Sequence, residues 1–381
     1  MPHTTAAVVM TGPEGPSPLE RLVSQAQRAA ALDLIDALRD AGVETVIAAT
    51  PNGDWLPVLP GLVRDDDAPG APFHFGRRLA DIIARYALDR VLYFGGASAP
   101  LLDPDAIRAL ARALHDQRGR AVALTNNRHS SDWAAFTQAQ RAAATVAEVD
   151  RDNSLAWLLE NQAGYAVQVF DPGRAGPGLD IDTPTDLALL ALHPDLKPRL
   201  AALLHSDAAA PVRRIPLAAV LAVAAREASQ LAIIGRVAPL AWHALSQATR
   251  IWIRVFSEER GMVASGRVAR GEVRSLLGAV IARDGPEAFF ALLAELADAA
   301  IIDSRVLMAH QGRWPGPADR FASDTFDCAA IADPWLRAFT AAAASAPLPV
   351  ALGGHGLVSG GLYTLAEILE RGRGPARGEA R

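Results

Sequence analysis

The stretch Gly178-Leu179-Asp180-Ile181-Asp182-Thr183-Pro184-Thr185-Asp186-Leu187 holds the most structural information in this chain of 381 residues. Thr183 suits the cap of a helix, and Pro184 suits its first position, where a missing N–H costs nothing. Asp182 then stands just before the positive end of that helix, on a loop following a strand. A carboxylate fixed there can hold Mg²⁺ against a phosphate, with Asp180 as its companion ligand. The plainer reading makes Asp182, Thr183 and Asp186 helix-capping residues and nothing more.

Working outward from this string, the preceding chain alternates between two periods. Residues 6–10, 43–49, 91–94, 121–124 and 165–170 read as strands. Residues 19–41, 77–87, 104–117 and 153–162 read as helices, with residues 51–72 as a polar loop. Strands alternating with helices at this spacing predict an α/β fold, a mostly parallel Rossmann-like sheet covered on both faces. Ligands of such sheets bind beyond the carboxyl ends of the strands. The loops after Met10, Phe94 and Leu124 are therefore where chemistry is expected. After about residue 205 the pattern changes. Residues 206–211 read as a small-residue linker, and residues 216–234, 237–255, 270–283, 286–302, 334–344 and 361–370 as helices, with one strand at 349–352. The expectation is an α/β domain over 1–205 and a mainly α-helical domain over 206–381, whose last ten residues are disordered.

Composition narrows the function classes. With 37 basic and 42 acidic residues the net charge is −5, which removes the electrostatic case for a nucleic-acid partner. A lone cysteine, Cys328, excludes an intramolecular disulfide and any Cys-rich metal centre. Lys197 is the single lysine, so phosphate-binding cations must be arginines. The apolar run at 215–225 is too short to cross a membrane, and nothing near Met1 reads as a targeting signal. A cytoplasmic protein is expected.

The string around Asp182 resembles the D-[IV]-D-T-P-x-D-L element of nucleotidyltransferases with a GT-A-like fold, among them the MobA-like and CofC-type guanylyltransferase-like enzymes. Three further stretches fall where that fold needs them. Val91-Leu92-Tyr93-Phe94-Gly95-Gly96-Ala97-Ser98-Ala99-Pro100-Leu101-Leu102 is similar to the family's strand ending in G-D-x-P-L-L. Asp152-Asn153-Ser154-Leu155 is similar to its DN-[AS]-L turn, and Gly12 and Gly15 follow the first strand as its nucleotide loop does. The resemblance covers roughly residues 5–205. It implies a GT-A-type three-layer domain, a nucleotide, a small-molecule acceptor and Mg²⁺. By position it implies nucleotide contacts at Gly12, Gly15, Arg21, Gly95, Gly96 and Ser98, and metal ligands at Asp182 and Asp180. Two departures accompany it. The first loop, Gly12 to Leu22, contains three prolines and two glutamates, and the family's lysine is missing. The aspartate expected after the 91–94 strand is replaced by Ala97 or Ser98.

The second half holds a denser polar set. Arg260, Arg267 and Arg274 recur every seven residues beside Glu259, and such guanidinium forks suit phosphate or carboxylate. Asp303, Arg305 and His310 form a second group. Gly354 and His355 belong to a loop with five glycines in nine residues, placed between a strand and a helix, where backbone amides can cradle an anion. His310 and His355 lack the local spacing of a metal pair. Three readings stay open: a nucleotidyltransferase, a catalytically degenerate transferase fold that binds ligands or acts as a scaffold, and an enzyme whose site lies in the C-terminal half.

Overall fold

A computed structural model describes residues 5–70, 72–117, 119–171 and 173–372. The expected disorder of the last ten residues falls, but for one residue, outside this range. Seven strands form the first sheet: β1 (Thr5–Met10), β2 (Val46–Thr50), β3 (Leu62–Asp66), β4 (Arg90–Gly95), β5 (Val122–Thr125), β6 (Trp133–Phe136) and β7 (Ala166–Val169). Their order is β3-β2-β1-β4-β6-β5-β7. All pairs are parallel except those of β6, which runs against both β4 and β5. Along β1, Ala6, Val8 and Met10 join one apolar cluster, while Ala7 and Val9 join the other. That period of two puts side chains on both faces. Helices Phe75–Arg85, Ala139–Ala147 and Leu155–Asn161 cover the first face, and Pro18–Asp40 and Pro104–Asp116 the second. The expected α/β class and three layers are present.

Two strands replace expected loops. β3 lies in the stretch read as polar loop because its hydrophobic content is low. β6 is a strand that no sequence signal announced; just before it, Ser131 donates to the Asp152 carbonyl, 3.0 Å away.

The second half is richer in helix than in strand, but it too is built on a sheet, which corrects three of its expected helices. Residues 216–234, 237–255 and 286–302 each end in a strand: β8 (Gln230–Gly235), β9 (Trp252–Ser257) and β10 (Ala299–Asp303). With β11 (Val350–Gly353), the one strand expected, they form a fully parallel sheet in the order β11-β10-β8-β9. A strand buried on both faces reads as a continuous apolar run, which periodicity does not separate from a buried helix.

The linker expected at 206–211 is packed rather than free. Ala209 and Val212 are buried in a cluster that runs from Leu22, Val23 and Ala26 through Leu187 and Leu200 to Leu231 and Ile233 of β8. One apolar cluster thus joins helices of the first half to the second sheet. Among the described residues no helix is long and apolar enough to cross a membrane.

Candidate active site

The Asp182 turn is built as its sequence dictates. Residues 179–181 are extended and pair with the loop after β4: the Ala99 amide donates to Leu179 (2.9 Å) and the Ile181 amide to Ala97 (3.0 Å). Thr183 caps helix Pro184–Leu190, and Asp186 completes a reciprocal capping box. One oxygen of Asp186 accepts from the amides of Asp182 (3.0 Å) and Thr183 (2.7 Å) and from the Thr183 hydroxyl (2.9 Å). The other, Oδ1, is buried with no partner. Burial and the Asp182 charge push the Asp186 carboxyl up to about 7. Capping consumes Asp186 and the amide of Asp182, and leaves the Asp182 carboxylate free.

Asp182 is exposed to solvent, while the surrounding protein still desolvates its carboxyl. Asp180 stands beside it, close enough for each carboxyl to act on the protonation of the other. Enclosure raises the Asp182 carboxyl, with its neighbour Asp180 and the Arg236 and Arg305 charges working the other way. Asp180 is raised well above the usual range by burial, then by the charges of Asp182, Asp132 and Asp186. Asp132 reaches about 7 through burial, against the hydrogen bond from Asn126 and with the charges of Asp182 and Asp152. Asn126 donates to Asp132 at 2.6 Å and Asn153 at 3.2 Å, and Tyr93 donates to Asp152 at 3.2 Å.

The loop after β4 approaches closely. A Cβ on Gly96 would collide with the Thr11 side chain, and one on Gly95 would come within 3.5 Å of the Asp152 carboxylate. Ser98, where the resemblance implies a nucleotide contact, is buried and donates to its own Gly95 carbonyl at 2.7 Å. The absent aspartate of that loop has a spatial neighbour in Asp132, which enters the same edge because β6 is antiparallel. Nothing in local spacing points to Asp132; only the direction of the strand after it brings it there.

The donor set of Asp180 and Asp182 is hard oxygen, and Mg²⁺ is commonly held by one or two carboxylates with waters and phosphate oxygens completing its shell. The pair fits that role. Among the described residues no three His, Cys, Asp or Glu side chains form a ready-made cage.

The first loop is less open than expected. The Gly15 amide donates to Ser24 Oγ (3.2 Å) and the Ser17 amide to Glu20 (3.1 Å), while Pro13, Pro16 and Pro18 have no amide hydrogen. Glu20 closes a capping box on helix Pro18–Asp40. Gly12 is exposed with open space beside it, and Arg21 is exposed and bonded to the Pro16 carbonyl. The Gly15 amide is therefore occupied within the loop.

The carboxyl edge of the second sheet lies against this turn. A Cβ on Gly356 would stand 2.9 Å from the orphaned Asp186 Oδ1, and one on Gly354 3.1 Å from Thr183. Thr185 donates to the Leu352 carbonyl of β11 at 2.6 Å. Just past β8, Arg236 holds Asp303 with two bonds (2.6 and 3.1 Å), and Arg305 holds Asp324 with two at 2.6 Å. His355 is held down to about 4 by burial and by Arg236, with Arg260 also acting against its protonation.

The polar set of the second half divides in two. Asp303, Arg305, Gly354, His355 and, at longer range, Arg260 gather at the Asp182 side, together with Arg236, which the sequence pattern did not reveal. Its signal was its position just past a strand, hidden because β8 read as helix. Glu259, Arg267 and Arg274 form a separate surface lattice: Glu259 accepts two bonds from Arg267 (2.8 and 2.9 Å) and one from the Arg274 amide (3.0 Å). His310 accepts from the Ser275 amide at 3.0 Å and packs on Gly278. The heptad spacing of the arginines counted for nothing because residues 258–274 turn repeatedly, with Gly261, Gly266 and Gly271 at positive φ.

No protein-family model matches the sequence, and no curated protein matches it. Among solved structures it is similar to a cytidylyltransferase from Leptospira borgpetersenii serovar Hardjo-bovis (strain JB197), at 15% identity and TM-score 0.39, over 53% of this chain and 94% of that one. It is similar to a nucleotidyl transferase from Methanothermobacter at 15% identity and TM-score 0.33, over 44% of this chain and 87% of that one. It is also similar to the 2-C-methyl-D-erythritol 4-phosphate cytidylyltransferase from Thermus thermophilus, at 18% identity and TM-score 0.31, over 54% of this chain and 98% of that one.

Proposed function

We propose that the cleft between the carboxyl edges of the two sheets binds a nucleoside triphosphate with Mg²⁺ and transfers its nucleotidyl group to a small phosphorylated or carboxylated acceptor. The observation that carries this reading is the exposed Asp182, beside Asp180 and freed from capping duty by Asp186. Asp180 and Asp182 would hold Mg²⁺, whose charge would neutralise the phosphates. The Gly95–Gly96 backbone would lie along the nucleotide, and Asp132 and Asn126 stand at the same strand ends. In the transfer an acceptor oxygen bonds to the α-phosphorus as the bridging oxygen leaves with pyrophosphate, a reaction that asks mainly for positioning and charge neutralisation. The second sheet's edge, with Arg236, His355 and Arg260, is the anion-friendly wall where a charged acceptor fits.

A second reading, ligand binding without transfer, is favoured by one observation: the amides of Gly15 and Ser17 are already occupied within the first loop. One series of measurements separates the two. Thermal shifts with each nucleoside triphosphate should depend on Mg²⁺ and vanish in Asp182→Asn. Pyrophosphate release with a pool of small phosphates and carboxylates then distinguishes transfer from binding. A shift that survives the substitution reduces Asp182 to part of a helix cap.

A further inference from the structure

Helix Pro317–Asp324 of the second half touches two N-terminal elements: helix Pro18–Asp40, which leaves the first loop, and helix Pro184–Leu190, which leaves the Asp182 turn. Phe321 anchors it in the shared core. One residue earlier, the Arg320 guanidinium lies over the Trp314 ring, 5.1 Å from its centre. Its Nε is buried and has no hydrogen-bond partner. Among the described residues no carboxylate pairs with Arg320, whereas Arg236 and Arg305 nearby each hold an aspartate by two bonds. Burial and the Arg305 and Arg236 cations pull the Arg320 guanidinium below its ordinary range, while Asp324 and Glu20 act the other way. A half-enclosed cation crowded by other cations is costly to keep without an anion beside it.

The opposite deficit lies in the loop that leads into helix Pro18–Asp40, one of the two helices contacted. The first loop has lost amide donors to three prolines, spends those of Gly15 and Ser17 internally and carries no lysine. Its own arginine, Arg21, is exposed and bonded to Pro16. Glu20, at the start of the helix leaving that loop, is near enough for its charge to act on Arg320.

We propose that Arg320 is the phosphate-binding cation of the first loop, supplied across the interface by the second half, so that the polyphosphate site is complete only where the two halves meet. This rests on the nucleotide reading of the cleft, and it deepens that reading by giving the helical layer of the second half a part in binding.

Titration of inorganic tripolyphosphate with Mg²⁺ into the full chain tests it. Arg320→Met keeps the apolar stem over Trp314 and should weaken binding by on the order of tenfold, the worth of one charge-assisted hydrogen bond. Arg320→Lys should fall between. Glu20→Gln, which retains a capping side chain, should tighten binding by removing the opposing charge. The melting temperature of ligand-free Arg320→Met should hold or rise; a fall with unchanged affinity marks a structural arginine and overturns the proposal. Affinity within twofold of the unmodified chain overturns it too, and if the methionine variant does not fold, unchanged or weaker binding in Glu20→Gln does so alone. In either case a triphosphate shift still abolished by Asp182→Asn leaves the nucleotide reading standing. A full chain that responds to neither tripolyphosphate nor any nucleoside triphosphate overturns both.

Discussion

His355 is the residue whose charge state depends most plainly on its setting. Burial and the Arg236 and Arg260 cations hold it near 4, with Asp303 pulling the other way. Unfolded, the ring returns to about 6.5. Between those values the unfolded chain binds the proton and the folded chain does not. Stability attributable to neutral His355 is thus complete above about pH 6.5 and lost as the pH falls toward 4, on the order of 1–3 kcal/mol. Melting temperatures of the parent and of His355→Gln across that window check this: the substituted chain should decline less steeply. Equal slopes would mean the ring is protonated in the folded state as readily as in water. The same residue scale explains why Asp182 and Asp186, four apart in one motif, have different work. The capping geometry takes Asp186 and leaves Asp182 to the cleft.

At the scale of elements, helix Pro184–Leu190 joins the two sheets. All seven of its residues are buried, and Thr185, completely enclosed, donates to the Leu352 carbonyl of β11 at 2.6 Å. Thr185→Val keeps the shape but leaves that carbonyl unpaired, which costs about 1–3 kcal/mol. The denaturant midpoint should fall accordingly, and Mg²⁺-dependent nucleotide affinity should drop because the Gly353–Gly356 backbone loses its tie to the Asp182 turn. An unchanged midpoint would show the bond to be worth no more than one to water. The motif string was legible at this scale: Thr183 and Pro184 announce a helix start wherever they occur. The strands β8 and β10 were not, since Leu231 to Ile234 and Ala299 to Ile302 present an apolar run with no period to read.

At the scale of the whole molecule, the cluster from Leu22 and Val23 through Leu187 and Leu200 to Leu231 belongs to neither half alone. Separating the halves would expose the part of it that lies between them, at roughly 25 cal/mol for each Å² of apolar surface. The two sheets should therefore unfold together. Calorimetry of the full chain should give one transition, and a chain ending at residue 205 should lack a cooperative one. Two resolved transitions, or a well-folded fragment, would sink the idea of a shared core.

Local chemistry in the sequence was enough to determine the α/β class, the helix start at Thr183 and Pro184, the place of Asp182 just before that helix, and the shortage of donors in the first loop. Each depends on residues within a few positions of one another, so neighbouring side chains and backbone preferences suffice. Only the tertiary structure decided that β6 runs backward and brings Asp132 to the site. It alone decided that a second parallel sheet turns its carboxyl edge toward the first, and that Arg305 and His355 join Asp182 while Arg267 and His310 do not. Those outcomes depend on strand direction and on which apolar faces pack together, and packing energy carries no mark of sequence distance.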